Sequence, residues 1–267
     1  MPNLARKAWL AIAFAVSLAA VHAWGQAGSP ANGRESVDPR SLREAPGEFQ
    51  FVRLAYSSSS YGGGGWGRRQ AWQTDWPDAE HHFVKGIARL TRVEAAEKGR
   101  ILTPLDEEIY DYPWIYAVEV GQWYLNELEA ARLRDYLLRG GFLMVDDFHG
   151  TYEWSSFLAS MERVFPDRPI VDIPENDEAF HVIYDLDQRI QIPSRMFIYS
   201  GVTWERDGYT PHWRGIYDDD GRLMVAINFN MDIGDAWEHA DWPDYPENMT
   251  ALAYRFGINY LIYAMTH

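Results

Sequence analysis

The stretch Gly140-Gly-Phe-Leu-Met-Val-Asp-Asp-Phe-His-Gly150 carries the clearest fold signal in this sequence. Its two glycines end an amphipathic segment, residues 126–139, that predicts a helix, and Phe142–Val145 after them predicts a buried strand. Another nearly all-apolar run, Trp114–Val120, precedes the helix and predicts a second strand that is covered on both faces. Strand, helix and strand within about 30 residues form a βαβ unit, which requires a parallel sheet with a right-handed crossover.

Patterns on either side of this unit extend it to an α/β domain. Residues 51–56 predict an early strand, and apolar residues at helical spacing predict a helix at 78–91 that Asp75 or Asp78 could cap. Further elements are predicted as a strand at 101–104, helices at 152–164 and 250–265, and a hairpin with strands at 215–217 and 222–229. We therefore expect a three-layer α/β fold, with a mostly parallel sheet, helices on both faces and a late antiparallel hairpin.

The beginning of the chain predicts export. Arg6 and Lys7 precede the apolar run Ala8–Ala20, and small residues follow, which is the pattern of a secretory signal peptide. We predict a signal peptide at 1–27, a flexible leader at 28–47 and a single domain at 48–267, in a protein that is periplasmic or secreted. The alternative is that the apolar run stays as a membrane anchor.

Charge and composition exclude several classes of function. The formal net charge is −15, which argues against nucleic acids and anionic lipid surfaces because both need clustered basic residues. The chain has no cysteine, which excludes disulfides, thiolate metal sites, a thiol nucleophile and the attachment point of a bacterial lipoprotein. We expect no membrane span after signal cleavage, and an envelope protein or a small molecule as the partner.

Carboxylates and an imidazole directly follow the buried strand 142–145. Ligands of parallel α/β sheets bind outside the carboxyl ends of the strands, so Asp146, Asp147 and His149 are candidate ligand-binding residues. Side chains alternate along a strand, so the two aspartates cannot both face one way if the strand continues through them. The alternative is that one aspartate caps the next helix and the other pairs with an arginine.

A second acidic cluster follows the other strand of the late hairpin. Its candidate ligand-binding residues are Asn230, Asp232, Asp235, Glu238 and His239, with Asn228 just before them. If residues 235–239 form a helical turn, the first and last side chains share one face and could hold a divalent metal together with the glutamate. Helix capping and solvent-exposed charge are the alternative.

Trp66, Trp72 and Trp76 mark an aromatic, glycine-rich loop that also carries Arg68 and Arg69. Such rings could stack on a sugar or an aromatic ligand, or form a docking patch, although most aromatic residues fill cores. The loop lacks the Lys-Ser/Thr pair of a phosphate loop. The turn at 121–124, where an amidotransferase would carry its nucleophile, has no Cys, Ser or Thr.

Several stretches resemble the bacterial domain of unknown function family 4159. They are Phe51–Tyr56, Asp111–Tyr116, Leu133–Asp147, Phe165–Arg168, Asp232–Glu238, Phe256–Tyr260 and Tyr263–Thr266. The resemblance implies a class I glutamine amidotransferase-like, flavodoxin-type fold, and it implies no catalytic residues.

Three functional hypotheses follow. The first is a non-catalytic or ligand-sensing module with an acidic crevice at the strand ends. The second is a metal-assisted hydrolase of an envelope carbohydrate or peptide, with a carboxylate or His149 as general base. The third is a structural docking partner in an envelope complex.

Overall fold

The computed structural model describes residues 47–58 and 70–267 of the chain. The predicted signal peptide and nearly all of the predicted leader lie outside the described residues. So do Trp66, Arg68 and Arg69 of the aromatic loop.

A mostly parallel sheet forms the centre of the fold. Its strands are β1 (Val52–Leu54), β3 (Arg100–Leu102), β4 (Trp114–Val118), β6 (Phe142–Asp146), β7 (Val171–Asp172), β8 (His212–Tyr217) and β9 (Leu223–Phe229), while β2 (Ser57–Ser58) and β5 (Trp123–Tyr124) form a separate antiparallel pair. The strand order is β3-β1-β4-β6-β9-β8-β7. The first five strands in that order run parallel, whereas β8 is antiparallel to β9 and to β7.

Helices cover the two faces of this sheet. They are α1 (Asp78–Leu90), α2 (Glu127–Leu138), α3 (Gly150–Val164), α4 (Phe197–Ser200), α5 (Ile233–Glu238) and α6 (Glu247–Thr266). Because side chains alternate along a strand, neighbouring residues of β4 enter different cores: Tyr116 packs with α1, α5 and α6, and Ile115 packs with α2 and α3. The predicted mixed α/β architecture is confirmed at this level.

The βαβ unit predicted from the sequence is present. Strands β4 and β6 pair in parallel from Trp114↔Phe142 to Val118↔Asp146. Asn126 caps α2 through its side chain and forms a capping box with Glu129. Beyond the other end of α2, Gly140 has a φ of 108°, a backbone conformation that favours glycine.

Three local predictions need correction. Strand β4 ends at Val118 rather than residue 120, because Glu119 takes a left-handed conformation with φ 54°. Strand β6 continues through Asp146, and the chain turns at Asp147 with φ 53°. Helix α1 has Pro77 at its N-cap and no side-chain cap, so neither predicted aspartate caps it.

The late antiparallel hairpin is confirmed and is longer than predicted. Strand β8 begins at His212, and its register with β9 shifts between Ile216 and Tyr217. Within the described residues, no helix combines the length and apolar character that a membrane crossing requires.

Candidate functional site

The carboxyl ends of β4, β6 and β9 meet at one edge of the sheet and open into a pocket of about 260 Å³. Its lining residues are Thr74, Asp75, Glu119, Asp147, Ser194, Arg195, Met196, Glu205, Asp232, Asp235 and Glu238. Seven of them carry carboxylates, and Arg195 is the one basic residue among the described lining residues. The structure therefore brings Asp147 of the first acidic cluster and Asp232, Asp235 and Glu238 of the second into one strongly negative pocket.

The backbone around this pocket is unusual. In the described part of the chain, five residues other than glycine have positive φ, namely Asp75, Glu119, Asp147, Arg206 and Asn230. Three of the five line the pocket. Aspartate and asparagine tolerate this conformation better than most residues, but each case still costs about 1–3 kcal/mol. Such strain is concentrated at functional sites in proteins.

Three buried aspartates form the deeper part of the pocket. Asp75, Asp147 and Asp232 each place a carboxylate oxygen within 4.8 Å of the others, and we call them the aspartate triad. The segment before Asp75 is held by Arg53, whose guanidinium donates to the carbonyls of Trp72 at 3.0 Å and Thr74 at 2.8 Å. Asp75 is 4% exposed, and its Oδ2 accepts no hydrogen bond from any residue that the structure describes.

The other two triad members are fixed by the loops that follow β6 and β9. The amide of Asp147 donates to the carbonyl of Met231 at 3.2 Å, and the amide of Asp232 donates to that of Ile192 at 2.9 Å. Asp232 also caps α5, because its Oδ1 accepts from the amide of Asp235 at 2.8 Å. Backbone hydrogen bonds thus hold two strand-end loops against each other, which brings their carboxylates together.

Burial raises the pKa of all three triad carboxyls well above the ordinary value for aspartate. Repulsion from neighbouring carboxylates adds to this effect: Asp235 raises the pKa of Asp75, and Glu119 raises the pKa of Asp147. Oxygens so close together cannot all be ionised unless a positive charge lies between them. The triad therefore holds either protons or a cation.

A second group lies on α5 and just beyond it. Oxygens of Asp235 and Glu238 and a ring nitrogen of His239 lie within 4.8 Å of one another, and we call these residues the histidine cluster. The Nε2 of His239 is 3.5 Å from Asp235 Oδ1 and 3.2 Å from Glu238 Oε2. The imidazole stacks on Trp242 with centroids 4.1 Å apart, which fixes the plane of the ring.

The imidazole of His239 has a nitrogen that could bind a metal ion. His239 is 3% exposed, and burial lowers its pKa, which favours the neutral ring. Its Nε2 has no hydrogen-bond partner among the described residues. A neutral imidazole nitrogen beside two carboxylate oxygens is a nitrogen and oxygen donor set of the kind that holds zinc or manganese.

Asp146 lies behind the pocket and outside its lining. It is fully buried, and its Oδ2 accepts from the amides of Ile233 at 2.7 Å and Gly234 at 2.8 Å and from the Tyr116 hydroxyl at 3.2 Å. Burial raises the pKa of Asp146 to about 7, although these donors oppose the shift. Asp146 thus anchors the first turn of α5, the helix that carries the histidine cluster.

His149 and Asn230 are also buried beside the pocket, and, like Asp146 and His239, they do not line it. His149 Nε2 is 3.3 Å from Asp147 Oδ1, and burial lowers the pKa of this histidine to about 4. Asn230 accepts from the amide of Gly150 at 2.9 Å and donates to the carbonyl of Thr210 at 2.7 Å. Asn230 therefore ties the loops around the pocket together.

Several lining residues were not predicted from the sequence. Asp75 belongs to the segment before α1, where its position in the sequence predicts a helix cap. No local pattern distinguishes a capping aspartate from one that lines a pocket. Glu119 did carry a signal, because it directly follows the buried strand β4. Its Oε2 accepts from Gln122 at 2.7 Å, and burial raises its pKa to about 7. The segment with Ser194, Arg195 and Glu205 has no periodic pattern that would place it over the pocket.

Trp72 and Trp76, the described tryptophans of the predicted aromatic loop, do not line this pocket. Trp72 is half-buried in the short 3₁₀ turn Ala71–Gln73 and packs against the core on the α2 and α3 face. Trp76 is 42% exposed and lines a larger groove of about 740 Å³ beside edge strand β3. That groove lacks the convergent buried carboxylates of the smaller pocket, so we consider the smaller pocket as the candidate site.

Comparison with known proteins gives a family. The sequence profile of the family described as Domain of unknown function (DUF4159) matches residues 50–265, which include every strand of the sheet and every residue of the pocket. No curated protein matches the sequence significantly. Because the match covers most of the chain, the protein belongs to the DUF4159 family.

Proposed function

We propose that this protein is a cation-dependent ligand-binding module and that the histidine cluster holds a divalent metal ion at the edge of the acidic pocket, which Asp235 and Glu238 line and behind which His239 lies. The observation that carries the proposal is His239 Nε2, which lies buried within 3.5 Å of two carboxylates and has no hydrogen-bond partner in the described chain. A buried polar atom without a partner costs about 1–3 kcal/mol, and a bound cation would remove this cost.

The donor set favours zinc or manganese over calcium or magnesium, because it includes an imidazole nitrogen. Three protein ligands would leave at least one coordination position for water or for a ligand from solution. The pocket of about 260 Å³ has room for a small ligand at that position. An anionic or hydroxyl-bearing ligand would bind through the metal, since seven carboxylates would otherwise repel it.

Titration calorimetry with Zn²⁺ and Mn²⁺ on EDTA-treated protein tests the proposal. We expect one ion at the histidine cluster, a higher melting temperature, and at least a tenfold loss of affinity in His239→Gln. His81→Gln, at an exposed position, is the matched control and should bind as the wild type does. Wild-type protein that binds neither ion, or His239→Gln protein with full affinity, would refute the proposal.

A second function, metal-assisted hydrolysis, is supported by Glu119. This residue lines the pocket, and its pKa of about 7, raised by burial, suits a general base at neutral pH. A metal-bound water beside it could attack an ester, amide or glycosidic bond. His149 suits this role less well, because it lies outside the pocket lining. We propose a carbohydrate or peptide of the cell envelope as the substrate class, in keeping with the predicted export.

Activity of zinc-loaded protein on a panel of envelope glycans and peptides tests this second function. The expected result is turnover that Glu119→Gln lowers at least a hundredfold while Zn²⁺ affinity stays unchanged. Absence of turnover by the wild type across the panel would leave the binding module as the function.

We also propose that the fold is of the flavodoxin type, with the amidotransferase-like arrangement that the sequence resembles. Numbered along the chain, the five parallel strands have the order 2-1-3-4-5, which is the order of that class. In such sheets ligands bind at the carboxyl ends of the strands, near the point where the strand order reverses. Glu119, after β4, lies beside that point, which supports the choice of pocket.

A further inference from the structure

We infer that the aspartate triad is a second cation site in the same pocket and that it takes a large hard ion, Ca²⁺ in the first place. The inference rests on the proposed function for the role of the pocket. It goes beyond that function by adding a second ion of different chemistry, held by residues of three separate segments of the chain.

The buried oxygen of Asp75 points to a ligand. Asp75 is 4% exposed, lines the pocket, and leaves Oδ2 without a hydrogen-bond partner among residues 47–58 and 70–267. Arg53 forms an ion pair with Glu80 and donates to two backbone carbonyls, and although its charge lowers the pKa of Asp75, its Nη2 makes no hydrogen bond to any described residue. No described side chain therefore neutralises Asp75 by direct contact, and a cation from solution would.

The spacing of the triad is compatible with a cation bound by all three carboxylates. The three carboxylate oxygens lie within 4.8 Å of one another. A triangle with sides at that limit has its centre about 2.8 Å from each corner, so shorter sides bring the corners close to the 2.3–2.6 Å of calcium–oxygen bonds. Calcium takes six to eight oxygens in a flexible geometry, whereas magnesium demands a near-ideal octahedron at about 2.0–2.1 Å and keeps several waters, so a site of three carboxylates suits calcium better.

The chemistry of the donors separates the two sites. The triad offers oxygen alone, which hard cations prefer, whereas the histidine cluster includes a nitrogen. Asp232 connects the two groups, because its Oδ1 caps the helix on which Asp235 lies. Calcium binding at the triad and zinc binding at the histidine cluster can therefore be measured separately in one protein.

The structure also provides variants that keep the local backbone. Asp75 has a φ of 61°, and asparagine tolerates this left-handed region as well as aspartate does. Asp232 caps α5, and asparagine is an equally good cap residue. Asp75→Asn and Asp232→Asn each remove one charge from the triad without a steric change, so a folding defect in one would still leave the other as the test.

Calcium titration of EDTA-treated full-length protein by calorimetry tests the inference. We expect one Ca²⁺ per chain, with at least a tenfold loss of affinity in Asp75→Asn and in Asp232→Asn. Affinity should be unchanged in Asp187→Asn, an exposed control that also removes one negative charge. Absence of calcium binding in the wild type, or full calcium affinity in both triad variants, would overturn the inference.

Zinc titration of the same proteins keeps this result apart from the proposed function. Zinc binding that needs His239, without calcium binding, would overturn the second site and leave the proposed function standing. Calcium binding that needs the triad, with zinc binding unaffected by His239→Gln, would overturn the proposed function and leave the second site standing.

Discussion

Asp146→Asn should flatten the dependence of stability on pH in the metal-free protein. Asp146 is fully buried, and burial raises the pKa of its carboxyl to about 7, whereas an aspartate in an unfolded chain titrates near 3.9. Between these two values the folded state holds a proton that the unfolded state has released. The folded state is therefore favoured below about pH 4, and this advantage is lost as the pH rises through 7.

The size of the effect follows from the shift in the pKa. A difference of roughly three pKa units, at 1.36 kcal/mol each, corresponds to about 4 kcal/mol between pH 4 and pH 8. Asparagine cannot ionise, so this contribution disappears in the variant. Its side-chain oxygen can still accept from the amides of Ile233 and Gly234, and the start of α5 should therefore stay in place.

Urea unfolding in EDTA at several pH values between 4 and 8 measures the effect. In Asp146→Asn, an unpaired amide nitrogen at this buried position would lower the free energy of unfolding by about 1–3 kcal/mol at every pH. The test is therefore the slope of the free energy of unfolding against pH, and not the constant difference between the two proteins. Asp187→Asn, at an exposed position, controls for the loss of one charge. If the free energies of unfolding of the wild type and Asp146→Asn ran parallel over the whole pH range, Asp146 would not be the source of the pH dependence.

Three further predictions concern the pocket and its support. Gly234→Ala would place a Cβ 2.4 Å from Asp75 Oδ2, so we expect at least a tenfold loss of calcium affinity in calorimetry with the fold retained by circular dichroism. Calcium binding should release protons and weaken as the pH falls, because the pKa values of the triad carboxyls are raised. Calcium titrations in two buffers of different ionisation enthalpy would show the proton release as a difference in binding heat, and equal heats would contradict it. Arg53→Met should lower the free energy of unfolding by about 3–5 kcal/mol in urea, because it leaves Glu80 buried and unpaired, and Glu80→Gln in the same background should recover part of that loss.

Much of the fold was predictable because its signals are local. The apolar runs of β4 and β6 and the glycines after α2 depend on residues close in sequence, and the parallel pairing of the two strands follows from the helix between them. The ends of the strands were less predictable. Glu119 and Asp147 turn the chain through positive φ, a conformation that neighbouring apolar residues do not indicate.

Part of the candidate site could be predicted for the same reason. The spacing of Asp235 and His239 places both side chains on one face of a helical turn, and α5 has that turn. Asp146 ends the buried strand β6 and Asp147 follows it, but only the contacts of the folded chain place Asp146 behind the pocket and Asp147 in its lining. The place of Asp75 in the pocket could not be predicted from the sequence. It depends on Arg53, a residue of β1, which donates a hydrogen bond to the carbonyl of Thr74 just before Asp75.

The sequence alone determined the class of the fold, the absence of thiol chemistry and the acidic character of the strand ends. Tertiary structure alone decided which acids meet, because strand order places the ends of β4, β6 and β9 side by side and brings the segment before α1 over them. It also decided their burial, which separates a solvated carboxylate from one that must hold a proton or a cation. The physical reason is that local pattern depends on neighbours along the chain, whereas the charge state of a carboxylate depends on all the groups around it in space.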